Sequence, residues 1–338
     1  MKNRLDPLVS VCCIAFNQAP FIRRCLDGVL RQKCSFPFEV IVHDDASTDG
    51  TAEIIREYAA RYPDQVTAIC QKENQYSKGM DISVAFVWPR ARGKFIALCE
   101  GDDYWTSPEK LQKQVSFLDA HPEYSMSFSD YAVEKCFGKE YRIPAYNAFL
   151  RRSPESITRN DIFSLVTQSC PATCTLVFRK EMLDLQACAE LCRNLGFSDI
   201  VYHCLLAQQG KFHYVPEPLG CYRRACGSVT QANAPMVAHK RHQKEIRDRL
   251  RVAEYFGCRG EELQRLNDLF EVRLLGDALF VGEYREAYDL GARLLTRNAL
   301  PRKFRWCMKM KLFRLLHCYM LLRNWLQEYT RFVRFRAV

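Results

Sequence analysis

Apolar residues along the chain gather in short, nearly uncharged runs, and the polar stretches between them carry a helical period. Leu8–Ile14 (LVSVCCI), Phe38–His43 (FEVIVH), Val66–Cys70 and Phe95–Cys99 (FIALC) are β-rich and too short for helices, so each reads as a strand. Pro20 opens a helical stretch to about Gln32. Thr51–Tyr62 carries the stripe Ile54, Ile55, Tyr58, with Asp49 as its expected N-cap. Thr106, Pro108 and Glu109 combine a capping-box pair with proline in the first turn, predicting a helix to about Asp119. Further strands are expected near Tyr124–Ser129 and Ala172–Phe178. This alternation predicts an α/β protein: a mixed, mostly parallel sheet flanked by helices. Beyond about residue 232 glycine becomes sparse and helical periodicity takes over from Met236 nearly to the end. The expected organisation is one domain over residues 1–232 and a helical region over 233–338. Within the latter, Ala278–Leu295 reads as two short helices joined at Gly282.

In parallel sheets, ligands sit beyond the carboxyl ends of the strands. Two acidic clusters fall there: Asp44-Asp45 after the second strand and Glu100-Gly101-Asp102-Asp103 after the fourth. Adjacent carboxylates repel one another unless a divalent cation or a donor-rich ligand holds them. Hard oxygen ligands suit Mg²⁺ or Mn²⁺, which take their remaining ligands from water and substrate phosphates. A solvated turn with a helix cap is the alternative reading of either cluster. The polar N-terminus and the short Val9–Phe16 run do not make a signal peptide. No apolar run approaches the ~18 residues of a spanning helix. The 17 cysteines are odd in number and irregularly spaced without a CxxC pair, which favours reduced thiols in a cytoplasmic protein over zinc or disulfides.

The motifs Val9–Asn17 (VSVCCIAFN), Val40–Thr51 (VIVHDDASTDGT), Glu73–Gly79 (ENQYSKG) and Phe95–Trp105 (FIALCEGDDYW) follow in that order. Ser198-Asp199, Gly210, Pro216 and Tyr222-Arg223 come later. Together they resemble the inverting glycosyltransferases of family 2, with the GT-A (Rossmann-like) fold, over about residues 7–230. The resemblance implies a nucleotide-sugar donor, a glycan or lipid-linked acceptor of the kind used in cell-surface polysaccharide assembly, and Mg²⁺ or Mn²⁺. By position it implies Phe16 beside the nucleoside, Asp44 or Asp45 on the base or ribose, Asp103 on the metal, Asp102 on the donor or metal shell and Asp199 as catalytic base; Arg223 reads equally as a contact to the diphosphate or as a surface salt bridge. Asp199 also reads as a helix N-cap. Trp105 reads either as an acceptor platform or as core packing, and His43 as a strand-end histidine near the nucleotide. Two positions depart from the family pattern: Glu100 opens the DXD-type element, and Arg224-Ala225 stand where relatives often carry His. A non-catalytic nucleotide-sugar or glycan-binding module on the same fold is the competing class. A nucleotidyltransferase lacks support, since no glycine-rich phosphate loop stands near the N-terminus.

The formal charge of +10 is uneven. Residues 1–232 are net 0, 233–289 net −1 and 290–338 net +11. In the tail, Phe304, Met308, Leu312, Leu315, Tyr319, Leu322 and Leu326 share one helical face, with Lys and Arg off it. Docking on the body and contact with an anionic membrane surface are competing readings of equal weight that can coexist on different faces, the latter placing the protein at the inner face of the cell membrane. Nucleic acid is not expected as a partner, because the body is neutral and no recognition motif is present.

Overall fold

The computed structural model describes residues 6–135, 143–145, 171–193, 195, 198–224, 235–302 and 304–305. Its contacts divide the chain into two compact units, Met1–Ser228 and Val229–Val338. The basic tail beyond Arg305 lies outside the described residues.

The first unit is built on a mixed sheet. Strands β1 (Val9–Ala15), β2 (Phe38–Asp44), β3 (Val66–Cys70) and β4 (Phe95–Leu98) alternate with helices α1 (Ala19–Leu30) and α2 (Thr51–Arg61). β1 pairs in parallel with β2 and β4, and β2 with β3. All residues of β1 but Ile14 are buried, as a central strand covered on both faces requires. Helix α1 packs Ile22, Cys25, Leu26 and Val29, one helical stripe, into the core.

The sheet continues through β5 (Tyr104–Trp105), β6 (Tyr124–Lys135), β7 (Ile143–Ala145), β8 (Val177–Arg179) and β9 (Lys211–Arg224). Its order is β3-β2-β1-β4-β8-β6-β9-β5, with β7 on β6. Strand β8 is antiparallel to β4 and β6, whereas β6 and β9 run parallel. Helices α3 (Lys110–Ala120), α4 (Leu185–Cys192) and α5 (Asp199–Gln209) complete the unit. The long pairing with β9 extends β6 six residues past Ser129, the expected end.

Four local expectations change. Ala172–Phe178 is not one strand: Thr175 donates its N–H and its hydroxyl to the Ala172 carbonyl, tying a 3₁₀ turn over Thr173–Thr175 before β8. Gly50, in the left-handed region at φ 94°, is the N-cap of α2, while Asp49 accepts the N–H of Thr51 at 3.1 Å and of Ala19 at 2.9 Å. Thr106 does not cap α3: its hydroxyl donates to the Pro218 carbonyl at 2.8 Å, and Glu109 stands at the N-cap without a side-chain bond. Ser198 is the N-cap of α5, and Asp199 is the helix's first residue.

The second unit contains α6 (Pro235–Tyr255), α7 (Gly260–Val281) and α8 (Tyr284–Thr296). Gly282, at φ 85°, ends α7 and turns the chain into α8, as expected, although α7 is long. Leu275, Leu279, Leu290, Leu294, Leu300 and Phe304 form its core.

One core group carries a latent charge. Lys110 opens α3 fully buried, with Nζ 4.5 Å from the Trp105 ring centroid and donating to Gln114 Oε1 at 2.7 Å. Burial pushes its ammonium down to about 7. The unfolded chain therefore binds one more proton than the folded chain between about pH 7 and pH 10, so stability rises with pH across that window. Urea denaturation as a function of pH checks this. The wild type should gain up to about 1.4 kcal/mol per pH unit relative to Lys110→Met, which has no charge to lose.

Candidate active site

The loops at the carboxyl ends of β1 and β2 are stitched together. Asn17 donates its N–H to Ser47 Oγ at 2.8 Å and accepts the Thr48 N–H at 2.9 Å, while Gln18 donates to Thr51 Oγ1 at 2.8 Å. Asn17 and Ala46 hold left-handed φ values of 51° and 64°, costly for residues with a Cβ and sustained by this lacing. The lacing presents Phe16 at the surface, 47% exposed.

The two aspartates after β2 have different employment. Both oxygens of Asp45 are taken, by the N–H groups of Gln75 at 2.9 Å and Tyr76 at 3.0 Å, so Asp45 anchors the loop over Glu73–Gly79. Asp44 accepts the Ser47 N–H through Oδ2 at 3.1 Å, but its Oδ1 is buried without a hydrogen-bond partner. Asp44 is thus the one with acceptor capacity left for a ligand. His43 is wholly buried, contacts Gln71 Nε2 at 3.1 Å and packs on Phe86.

The acidic loop after β4 is held from a distance. Arg223, on β9, donates its N–H to Asp103 Oδ1 at 2.7 Å and its Nη1 to the Asp102 carbonyl at 2.7 Å. Its Nε reaches Glu134 Oε1 at 3.0 Å, and Tyr104 donates to Glu134 Oε2 at 2.8 Å. The Arg223 guanidinium also lies 4.7 Å from the Phe21 ring centroid. Its described hydrogen bonds therefore serve the acidic loop and Glu134. Gly101 is closely packed: a Cβ there would stand 2.4 Å from Gln18 Oε1, 2.9 Å from Ile22 Cδ1 and 3.0 Å from the Ala15 Cβ, so these side chains would have to shift.

Electrostatics in this loop are strained. Burial, then the charges of Asp103, Asp199 and Asp102, push Glu100 well above the usual carboxylate range. Burial and Asp102 do the same to Asp103, and burial raises Asp102. Asp103 Oδ2 is buried without a hydrogen-bond partner, while Oδ1 takes the Arg223 N–H and the Glu100 carboxyl and the Cys174 thiol stand beside the group. Mutual repulsion, burial and an orphaned oxygen are the features a hard divalent cation relieves. Among the described residues no group of three His, Cys, Asp or Glu side chains forms a ready cage. A cation held by one or two carboxylates and completed by substrate phosphates does not need such a cage. The residues present fit such a cation.

Asp199, 96 residues after Asp103 in sequence, comes to the same place. It lines a cavity of about 200 Å³ together with Glu100, Tyr76, Asp81, Trp88 and Tyr202. His203 packs one turn further along α5, its Nδ1 against the Asp199 carbonyl, and burial pushes its imidazole down to about 4. A larger cavity, about 410 Å³, is lined by Arg24, Asp27, Arg31, Tyr104 and Glu134. Its two arginines are engaged, Arg24 with Glu134 and Arg31 with the Trp105 and Thr106 carbonyls.

Trp105 requires a correction. Its side chain is fully buried and its indole donates to the Cys174 carbonyl at 2.8 Å, so the ring is a core element and offers no face to an acceptor. Among the expected site residues, the structure brings Glu100 and Asp199 to one cavity, and Asp102, Asp103 and Arg223 to one hydrogen-bonded network. Glu134, Tyr76, Asp81 and Trp88 go unmarked as site residues by the sequence. Glu134 is signalled only as a charge in the β-rich Tyr131–Lys135 stretch.

Three comparisons bear on this site. Residues 10–184, just over half the chain, match the family model for glycosyl transferase family 2. An uncharacterised protein of Mycobacterium tuberculosis is 37% identical over 218 residues, which is 64% of this chain and 58% of that protein. The chain thus spans less than two thirds of this relative's length. The Escherichia coli enzyme WfaP, a UDP-Glc:α-D-GlcNAc-diphosphoundecaprenol β-1,3-glucosyltransferase, is 32% identical over 130 residues, 38% of this chain and 48% of that one. Among solved structures, Staphylococcus aureus TarS residues 1–349 with UDP-GlcNAc shares the fold at TM-score 0.57 and 18% identity, covering 91% of this chain and 86% of that one. The mannosyltransferase PcManGT of Pyrobaculum calidifontis, with GDP-Man and Mn²⁺, does so at TM-score 0.52 and 17% identity, covering 95% and 88%.

The Arg223–Glu134 pair is testable by itself. Glu134→Ala leaves a guanidinium that is 6% exposed without its carboxylate, and should cost about 3 kcal/mol or more in urea denaturation. Arg24→Ala removes a partner that is 45% exposed and should cost less than about 1 kcal/mol.

Proposed function

This chain belongs to glycosyl transferase family 2, and from that premise we propose that it transfers a sugar with inversion from a nucleotide-sugar donor to a glycan or lipid-linked acceptor. One observation carries the reading: Asp199, at the start of α5, lines the same cavity as Glu100, the first residue of the acidic loop. A base and a charge-handling loop around one small cavity are what a single in-line displacement at an anomeric carbon needs.

In this reading the nucleoside lies between exposed Phe16 and the open oxygen of Asp44. Asp103 and Asp102 hold Mg²⁺ or Mn²⁺, which when bound neutralises charge on the departing diphosphate. Arg223 keeps those carboxylates in place through its N–H and its guanidinium. Asp199 accepts the proton of the acceptor hydroxyl as the new glycosidic bond forms on the face opposite the leaving group. The likeness to a PcManGT structure with Mn²⁺ and to a TarS structure with a UDP-sugar supports the metal and the donor class. The WfaP match supports a lipid-linked acceptor.

A donor panel read by released nucleoside diphosphate, with metal varied, tests the reading. Turnover should require Mg²⁺ or Mn²⁺, and Asp199→Asn should reduce kcat by about 100-fold or more. Near wild-type turnover by Asp199→Asn would remove it as the base, and no turnover of any donor would favour a binding module.

For location we propose contact between the basic tail and an anionic membrane surface. Among the described residues no helix is long and apolar enough to cross a membrane. Phe304, the first residue of the tail's apolar stripe, is buried with Leu300 in the helical core, so that end of the stripe docks on the protein. A chain ending at Arg305 preserves this packing and should lose sedimentation with phosphatidylglycerol vesicles at low salt. Undiminished sedimentation would refute the proposal.

A further inference from the structure

A second basic surface lies in a segment whose charge count hides it. Residues 233–289 are net −1, yet their first helix, α6, displays its cations on one face. Lys240, Lys244, Arg247 and Arg251 are all exposed, and their steps of 4, 3 and 4 line them up along the helix. At 1.5 Å per residue this stripe is about 16 Å long. Among the described residues none of the four forms an ion pair. The acidic residues of α6 do little to offset them. Glu245 pairs with Arg249 at 2.9 Å, Asp248 is buried, and Glu254 is exposed only at the last turn. Val237 and Tyr255, 57% and 56% exposed, continue the stripe at its two ends.

The helix is held with this face outward. On its other side His239 meets Glu286 of α8 and His242 meets Asp277 of α7, each at 2.9 Å, and Ile246, Val252 and Ala253 are buried. Helix α6 therefore cannot roll to sink an apolar face of its own into lipid. What it offers is a straight row of cations between two exposed apolar side chains.

Such a row complements a surface of closely spaced anions. The apolar ends decide which surface. A bilayer has apolar depth beneath its phosphates, and tyrosine suits that boundary, with an apolar ring and a polar tip. The phosphate backbone of a nucleic-acid duplex has no such layer beneath it.

We propose that α6 lies on an anionic membrane surface through this stripe, as a contact in addition to the basic tail. The contact is shallow and electrostatic. Stable attachment takes two signals, and two linked contacts strengthen one another, so the stripe and the tail act together. The observations behind the stripe are independent of the tail and of the glycosyltransferase reading.

The full chain titrated with phosphatidylglycerol vesicles at low salt, with partitioning measured by sedimentation, tests the proposal. Each basic residue near an anionic surface strengthens binding about fivefold. Lys240→Gln, Lys244→Gln, Arg247→Gln and Arg251→Gln together should therefore weaken partitioning about 100-fold or more. The four side chains are exposed and outside any described ion pair, so the urea midpoint of this variant should match the wild type, separating lost binding from lost folding. Partitioning unmoved by the four substitutions would overturn the proposal and leave the tail's contact standing. Brief acetylation of the wild-type chain, read by mass spectrometry, gives a local measurement. Lys240 and Lys244 should lose reactivity with phosphatidylglycerol vesicles and keep it with phosphatidylcholine vesicles. Failure of the anionic vesicles to protect them would overturn the proposal. So would stronger protection by duplex DNA, which would make the stripe a nucleic-acid surface instead.

Discussion

The site depends on one constraint: three carboxyls, Glu100, Asp102 and Asp103, must stand together in a partly dry loop without flying apart. Arg223 meets it in two ways, with a main-chain N–H on the Asp103 carboxylate and a guanidinium on the Asp102 carbonyl. The first supplies a fixed dipole and the second a fixed charge that cannot be titrated away. Glu134 and Tyr104 then hold the guanidinium, so that its direction is set by neighbours on β6 and β5. Much else follows from keeping this loop in register, including the close approach of Gly101 to Gln18 and the burial of the Trp105 ring beneath it.

This arrangement divides labour between residues that look alike in sequence. Asp44 and Asp45 are neighbours of one type, yet one anchors a loop through both oxygens and the other keeps an oxygen open. Asp49 satisfies N–H groups at the starts of two helices and so ties α1 to α2. Acidic residues therefore serve as structural acceptors, as candidate ligand contacts and as candidate catalysts within one small region. What distinguishes them is which N–H groups point at them.

The parallel half of the sheet was legible because β1, β2, β3 and β4 are short apolar runs whose signal is local. The acidic loops were legible for the same reason, since each directly follows a strand. What escaped depends on partners far away in the chain. Trp105 reads as either platform or core packing until its indole is seen to meet the Cys174 carbonyl, 69 residues later. Arg223 reads equally as a diphosphate ligand or a salt-bridge partner, and only the distant positions of Asp102 and Glu134 reveal the ion pair and the carbonyl its guanidinium meets. Thr106 has the spacing of a capping box, but Pro218 on β9 offers its hydroxyl an acceptor. Local propensity proposes a partner in each case, and tertiary structure supplies another.

The clamp on Asp103 also has a meaning in time. Asp103 and Arg223 are 120 residues apart, so their contact closes one of the long loops of the fold. Chain synthesis delivers the acidic loop well before the strand that secures it, and non-local parallel pairing of the β6–β9 kind forms slowly. Until β9 is in place the carboxyls have neither their dipole nor their counter-charge. A nascent chain that has not reached Arg223 therefore carries the loop's sequence without the clamp that holds its geometry.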